Sequence, residues 1–183
     1  MSKIIVPLGK GFEEIEAISI IDVCRRANIE VVVAGVEEMM VEGAQGIIVQ
    51  TDCMIDDVDS STLDMIVLPG GWGGTDILNA NVTVQNMLKK MNEDDKFISA
   101  ICAAPFALNT AGVLSQNYTC YPSVEEQIRL QGYSSDKKVV QDGKILTSRG
   151  PGTAICFALE IVKILEGDEM YDMLKGGLLA DYC

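Results

Sequence analysis

Apolar residues in this chain come in short unbroken runs, and those runs alternate with segments whose apolar positions repeat at helical spacing. The runs are Ile4-Ile5-Val6-Pro7-Leu8, Ile29–Ala34, Met65-Ile66-Val67-Leu68 and Phe97–Ile101. A run of this length with no polar alternation reads as a strand buried on both faces. Residues 13–28 place Ala17, Ile20, Ile21 and Cys24 at the i, i+3, i+4, i+7 spacing of a helix face. Helices are predicted also at residues 82–92, after a turn at Cys102 to about Gly112, at 123–131, at 168–178, and after Thr153, where Ile155, Ala158, Leu159 and Val162 share a face. Two hairpins are predicted. Met39–Glu42 and Ile47–Thr51 flank a glycine-rich turn, and Lys138–Gln141 and Lys144–Thr147 flank Asp142-Gly143. Strands buried on both sides need helices above and below them. The chain is therefore predicted to be α/β, a three-layer sandwich with a mostly parallel sheet.

The 183 residues suit one domain with a sizeable core, taken as 1–183. No apolar stretch approaches the roughly 18 residues that cross a bilayer, so no membrane partner is expected. The first residues enter a strand directly and lack the shape of a signal peptide, which makes the cytoplasm the expected location. The net charge of −13 repels a phosphate backbone, and Lys89-Lys90 and Lys137-Lys138 are isolated pairs, so no nucleic-acid partner is expected. There are six cysteines and no histidine. No Cys-x-x-Cys pair occurs, so no metal site is expected. The even cysteine count is not evidence of disulfides in a cytoplasmic chain. Cys24 and Cys156 read as small core residues, and Cys183 as a mobile terminus.

Ligands in such sheets bind beyond the carboxyl ends of the strands. Three loops follow strands there: Gly9–Glu16, Pro69–Gly74 and Cys102–Pro105. Cys102 stands where a strand gives way to a helix, and helix-end amides favour a thiolate. A buried structural thiol is the competing reading. Pro69-Gly70-Gly71, read as a loop in which no regular element continues, lets backbone amides approach an oxyanion, or is a plain turn. Glu16 either complements a helix dipole or, if buried and protonated, donates a hydrogen bond to the sulfur. Arg149, beside Gly150-Pro151-Gly152, either holds loop carbonyls or binds an anion. Trp72, the one tryptophan, lines a pocket mouth or caps the core.

Four segments in order carry a resemblance: Gly11-Phe12-Glu13-Glu14-Ile15-Glu16, Ile66-Val67-Leu68-Pro69-Gly70-Gly71, Ala100-Ile101-Cys102-Ala103-Ala104-Pro105, and Leu146-Thr147-Ser148-Arg149-Gly150-Pro151-Gly152-Thr153. Together, over about Ile4 to Leu165, they resemble the ThiJ/PfpI superfamily (class I glutamine amidotransferase-like), in its parkinsonism-associated deglycase branch and most like its bacterial-type members. The resemblance implies a flavodoxin-like sandwich and a homodimer. It implies Cys102 as nucleophile and oxidisable thiol, Glu16 as its carboxyl partner, and the amides of Gly71 and Ala103 as an oxyanion pocket, with Gly70, Tyr121 and Arg149 in support. The implied activity is cofactor-free, on small reactive 2-oxoaldehydes or glycated groups, as a glyoxalase or deglycase. The implied alternative is a redox sensor or redox-regulated chaperone using the same cysteine. One departure matters. Many members carry a His-Pro pair near the thiol, and Tyr121-Pro122 stands in that place here. Without histidine a Cys-His protease or amidotransferase triad is excluded. Any general base must be Glu16, Tyr121 or water.

Overall fold

The apolar runs become neighbouring strands of one seven-stranded sheet in the computed structural model, which describes residues 1–183. In chain order the strands are β1 Lys3–Leu8, β2 Glu30–Gly35, β3 Met40–Glu42, β4 Ile48–Gln50, β5 Cys53–Met54, β6 Met65–Leu68, β7 Phe97–Ile101, β8 Val139–Asp142 and β9 Ile145–Ser148. The helices are α1 Glu14–Arg26, α2 Trp72–Ala80, α3 Val82–Glu93, α4 Pro105–Ala111, α5 Glu125–Ile128, α6 Ala154–Glu166 and α7 Asp168–Gly177. The sheet order is β5-β2-β1-β6-β7-β9-β8, and every pairing in it is parallel except β8 with β9. β3 and β4 form a separate antiparallel hairpin.

Side chains alternate across the pleat, so each central strand feeds both cores. Ile4, Val6 and Leu8 of β1 pack with α1 and α6, while Ile5 packs on the opposite side with residues of α2, α3 and α4. β6 splits the same way, Met65 and Val67 to one core and Ile66 and Leu68 to the other. This double burial is why the runs show no polar alternation.

Strand order reverses between β1 and β6. β1 leads outward to β2 on one side, and β6 leads to β7 on the other. The carboxyl ends of β1 and β6 flank a crevice at that reversal, where parallel sheets of this kind bind ligands. The loops Gly9–Glu13 and Pro69–Gly71 open there.

Three expectations need correction. The glycine run after β6 does not stay irregular: α2 begins at Trp72 and includes Gly73 and Gly74. The two glycines let the helix lie against the loop after β1, since a Cβ at Gly74 would sit 2.9 Å from Phe12 Cα. The helix predicted over 123–131 is only the single turn α5. Finally, Cys156 and Cys183 are joined in a disulfide. α7 folds back along α6 and returns the C-terminus to it, while Lys138 Nζ donates to the Tyr182 carbonyl. Cys183 is therefore tethered, and Cys156 is not a free core thiol. Closing a loop of 27 residues constrains the unfolded chain by about 3.5 kcal/mol.

Candidate functional site

Cys102 is the first residue past β7, and it holds φ = 64°, a left-handed conformation that a non-glycine residue adopts at a cost of about 1 kcal/mol or more. The end of β9 and the loop at Tyr121 hold it there. Its amide donates to the Ser148 carbonyl at 3.0 Å, and its carbonyl accepts from the Tyr121 amide at 2.9 Å. The loop after β9 is locked in turn: Ser148 Oγ and Thr153 Oγ1 are 2.7 Å apart, and Gly150 N donates to Thr153 Oγ1 at 3.1 Å. The sharp turn carries the sulfur into a cleft of about 560 Å³ at the sheet's crevice. Glu13, Gly71, Trp72, Ala103 and Tyr121 also line the cleft.

The backbone amides of Gly71 and Ala103 act on the sulfur and favour its charged form. Gly71 takes φ = 84°, and a Cβ there would lie 2.4 Å from the Gly11 carbonyl oxygen. A Cβ at Gly70 would lie 2.5 Å from Cys102 Cβ and 2.7 Å from Glu16 Oε2. Only glycine at both positions allows the β6 loop to run this close to the thiol.

Glu16 is fully buried, in the first turn of α1, beneath the thiol. Its Oε2 accepts from the Gly70 amide at 2.8 Å, while Oε1 has no formed hydrogen bond. Burial raises its pKa to about 7; the Gly70 amide and Cys102 pull downward, and the nearby Glu13 charge pushes up. Dipole complementarity alone does not describe this residue, because a solvated carboxylate would serve the dipole as well.

Cys102 departs from its expected ionisation. Burial, then the Glu16 charge and its hydrogen bond, push the thiol well above the ordinary range, and the two amides only partly offset this. α4 starts three residues later, at Pro105, and is short, so its end does not overcome desolvation. The resting pair is a thiol beside a carboxyl that loses its proton near neutrality. The two groups titrate as a unit.

Gly70, Gly71, Ala103 and Tyr121 all lie around Cys102 and Glu16. Trp72 is at the cleft mouth, 43% exposed. Arg149 does not line this cleft; it lines a smaller cavity next to it. Two glutamates escaped the sequence reading. Glu13 faces the cleft. Glu14 is buried and accepts from the amides of Gln45 and Ile47, which pins the β3–β4 hairpin to α1. Both stand in the same acidic run as Glu16, and helical spacing gives no means of telling which carboxylate turns inward.

A model of the DJ-1/PfpI family matches residues 2–164. The chain belongs to the DJ-1/PfpI family. Protein dj-1beta of Drosophila melanogaster is 41% identical over 181 residues, covering 97% of each chain. The crystal structure of Drosophila melanogaster DJ-1beta matches with a TM-score of 0.94 and 40% identity over 98% of each chain. A protein named glutathione-independent glyoxalase DJR-1.2, from Caenorhabditis elegans, is 37% identical over 163 residues, 88% of this chain and 87% of that one. The flavodoxin-like fold implied by the four segments is thus the fold observed. No helix is long and apolar enough to cross a membrane.

Proposed function

We propose that this family member converts small 2-oxoaldehydes to 2-hydroxy acids through Cys102, without a cofactor. The observation that carries the reading is the meeting of one thiol, one carboxyl titrating near 7 and two free amides at the wall of an open cleft. As the sulfur attacks the aldehyde carbon, a carbon–sulfur bond forms and the thiol proton passes to the Glu16 carboxylate. This order suits a thiol that does not ionise by itself. The aldehyde oxygen gains the charge and is held by the Gly71 and Ala103 amides. Glu16 returns that proton to the oxygen, giving the neutral hemithioacetal, and then, as carboxylate again, carries the C1 proton to C2 while the O1 hydroxyl proton passes to O2. C1 is thereby oxidised and C2 reduced within one molecule, leaving a 2-hydroxy thioester. Water cleaves the thioester, releases the acid and restores the thiol. The relative named as a glyoxalase supports the substrate class. Action on glycated groups would use the same thiol and carboxyl.

The test is lactate production from methylglyoxal, with Cys102→Ser alongside. Lactate formed by the wild type and lost in the variant supports the proposal, and equal turnover in the two defeats it. The amides and the protonated Glu16 favour a second use of the sulfur as an oxidation sensor, since oxygens added to it would meet donors on three sides. Peroxide should then add two oxygens to Cys102 in preference to the other cysteines, read by intact mass and peptide mapping. Even oxidation of all free cysteines argues against this use.

A homodimer belongs to the same proposal. Ile15 and Ile18 on α1 and Met40, Ile47 and Ile48 on the hairpin are all more than 40% exposed. Glu14 ties these two elements together, so the residues make one apolar edge.

A further inference from the structure

The cavity beside the thiol cleft measures about 260 Å³ and is lined by Tyr121, Pro122, Thr153 and the segment Arg149–Gly152. It shares Tyr121 and Pro151 with the cleft, so the two are adjoining compartments of one depression. Their charges differ. The cleft contains the Glu13 carboxylate, whereas Arg149 is the only charged side chain at the smaller cavity.

Arg149 is incompletely used by its own protein. It takes part in none of the seven ion pairs, although the chain carries 27 acidic residues. One interaction goes to the Tyr133 phenol. Its Nε is buried with no hydrogen-bond partner. Glu125 shares Cys120 and Tyr133 with Arg149 as neighbours, yet does not pair with it. A guanidinium has five N–H donors in a fixed fork that fits a carboxylate. Leaving a buried donor unmet costs about 1–3 kcal/mol, and the half-buried side chain brings the guanidinium to the cavity wall, where an incoming carboxylate can meet its charge.

Resting on the 2-oxoaldehyde reading, we infer that the Arg149 cavity is a subsite for a carboxylate carried by the same molecule that presents its carbonyl to Cys102. The preferred substrate class is then an acidic 2-oxoaldehyde rather than methylglyoxal. Tyr121 and Pro151 form the divide over which such a chain would lie, and Gly152, which also lines the cavity, has no atom within 4 Å of a would-be Cβ.

The experiment compares 4,5-dioxopentanoate with its uncharged methyl ester. Wild type should favour the acid in kcat/KM by about tenfold, the worth of one charge-assisted contact. Arg149→Gln should bring the ratio near one, and Arg149→Lys should keep part of the preference. Gly152→Leu, which blocks the cavity and keeps the arginine, should also remove it. A wild-type ratio near one, or a preference that survives Arg149→Gln, overturns the inference. A second readout does not depend on turnover. Levulinate, a keto acid without an aldehyde, should slow iodoacetamide alkylation of Cys102 more than pentan-2-one does, and Arg149→Gln should erase the difference. If wild type forms no lactate from methylglyoxal, the glyoxalase reading fails while this protection still decides the subsite. Equal protection by the two ketones sinks the subsite whatever the activity.

Discussion

Cys102 and Cys120 each have a glutamate for a neighbour, and only one of the two sulfurs lines the cleft. Cys120 is fully buried in a small apolar cluster with Ala103, Tyr118, Val124 and Ile128, and its sulfur lies 4.0 Å from Glu125 Oε2. Burial pushes its thiol up to about 12, the Glu125 charge adds to this, and the Glu125 amide opposes it. Cys102 is pushed in the same direction by the same kinds of cause. The two sulfurs therefore do not differ through any ready supply of thiolate at Cys102. They differ in access, in the two amides placed to receive an oxyanion, and in the carboxyl. Glu16 is fully buried and titrates near 7, so it can take a proton and return it at neutral pH. A thiol–carboxyl pair becomes a candidate catalyst when it opens on a cleft and its acid is poised near the working pH.

The largest expected effect tests that contrast directly. Cys102→Ser should reduce lactate formation on the order of a thousandfold or more, whereas Cys120→Ser should leave it within about threefold. A comparable loss in both, with both variants folded, would erase the distinction. Next is the carboxyl. Between its ordinary value of 4.5 and about 7, folded Glu16 keeps a proton that the unfolded chain has released. Stability from this group is full below the lower value and is lost as pH rises through the upper one, by about 3 kcal/mol. Denaturant titrations at pH 4 and pH 8 should show this fall in wild type and not in Glu16→Gln. Glu125→Gln should change stability by less than about 0.5 kcal/mol at either pH.

Smaller effects refine the same comparison. The rate of lactate formation should climb with pH around 7, because the proposed attack needs Glu16 ionised, with no fall at higher pH short of denaturation. Iodoacetamide at pH 8.5 should modify Cys102 at least about tenfold faster than Cys120, read by peptide mapping, since access differs although both thiols are raised. Last, Glu13→Gln removes a like charge and should move the rising limb of the pH profile to lower pH, by less than about one unit. A limb that moves upward would mean that Glu13 acts on the pair in some other way.

Much of the frame was legible in the residues. Ile4–Leu8, Met65–Leu68 and Phe97–Ile101 had to be strands covered on both sides, and Asp142-Gly143 had to be a tight turn. These are local consequences of apolar runs and turn chemistry, and β1, β6, β7 and the β8–β9 hairpin lie where the runs lie. Cys102, Glu16 and the glycines stood out because strand-end loops meet at one edge of a parallel sheet. The α2 start at Trp72 did not stand out, since a glycine-rich segment has no helical preference of its own and is held by packing against the loop after β1.

The order of residues by itself determined which segments are apolar enough to be buried, how they alternate, and that no histidine chemistry is available. Tertiary structure alone decided the state of the charged and sulfur groups. The Cys156–Cys183 bond depends on α7 turning the chain end back onto α6. The protonation of Glu16, the raised thiol of Cys102 and the unspent donors of Arg149 depend on how much water each has lost and which dipoles replaced it. Desolvation is set by everything packed around a group, from every part of the chain, and a string of residues does not contain it until the string is folded.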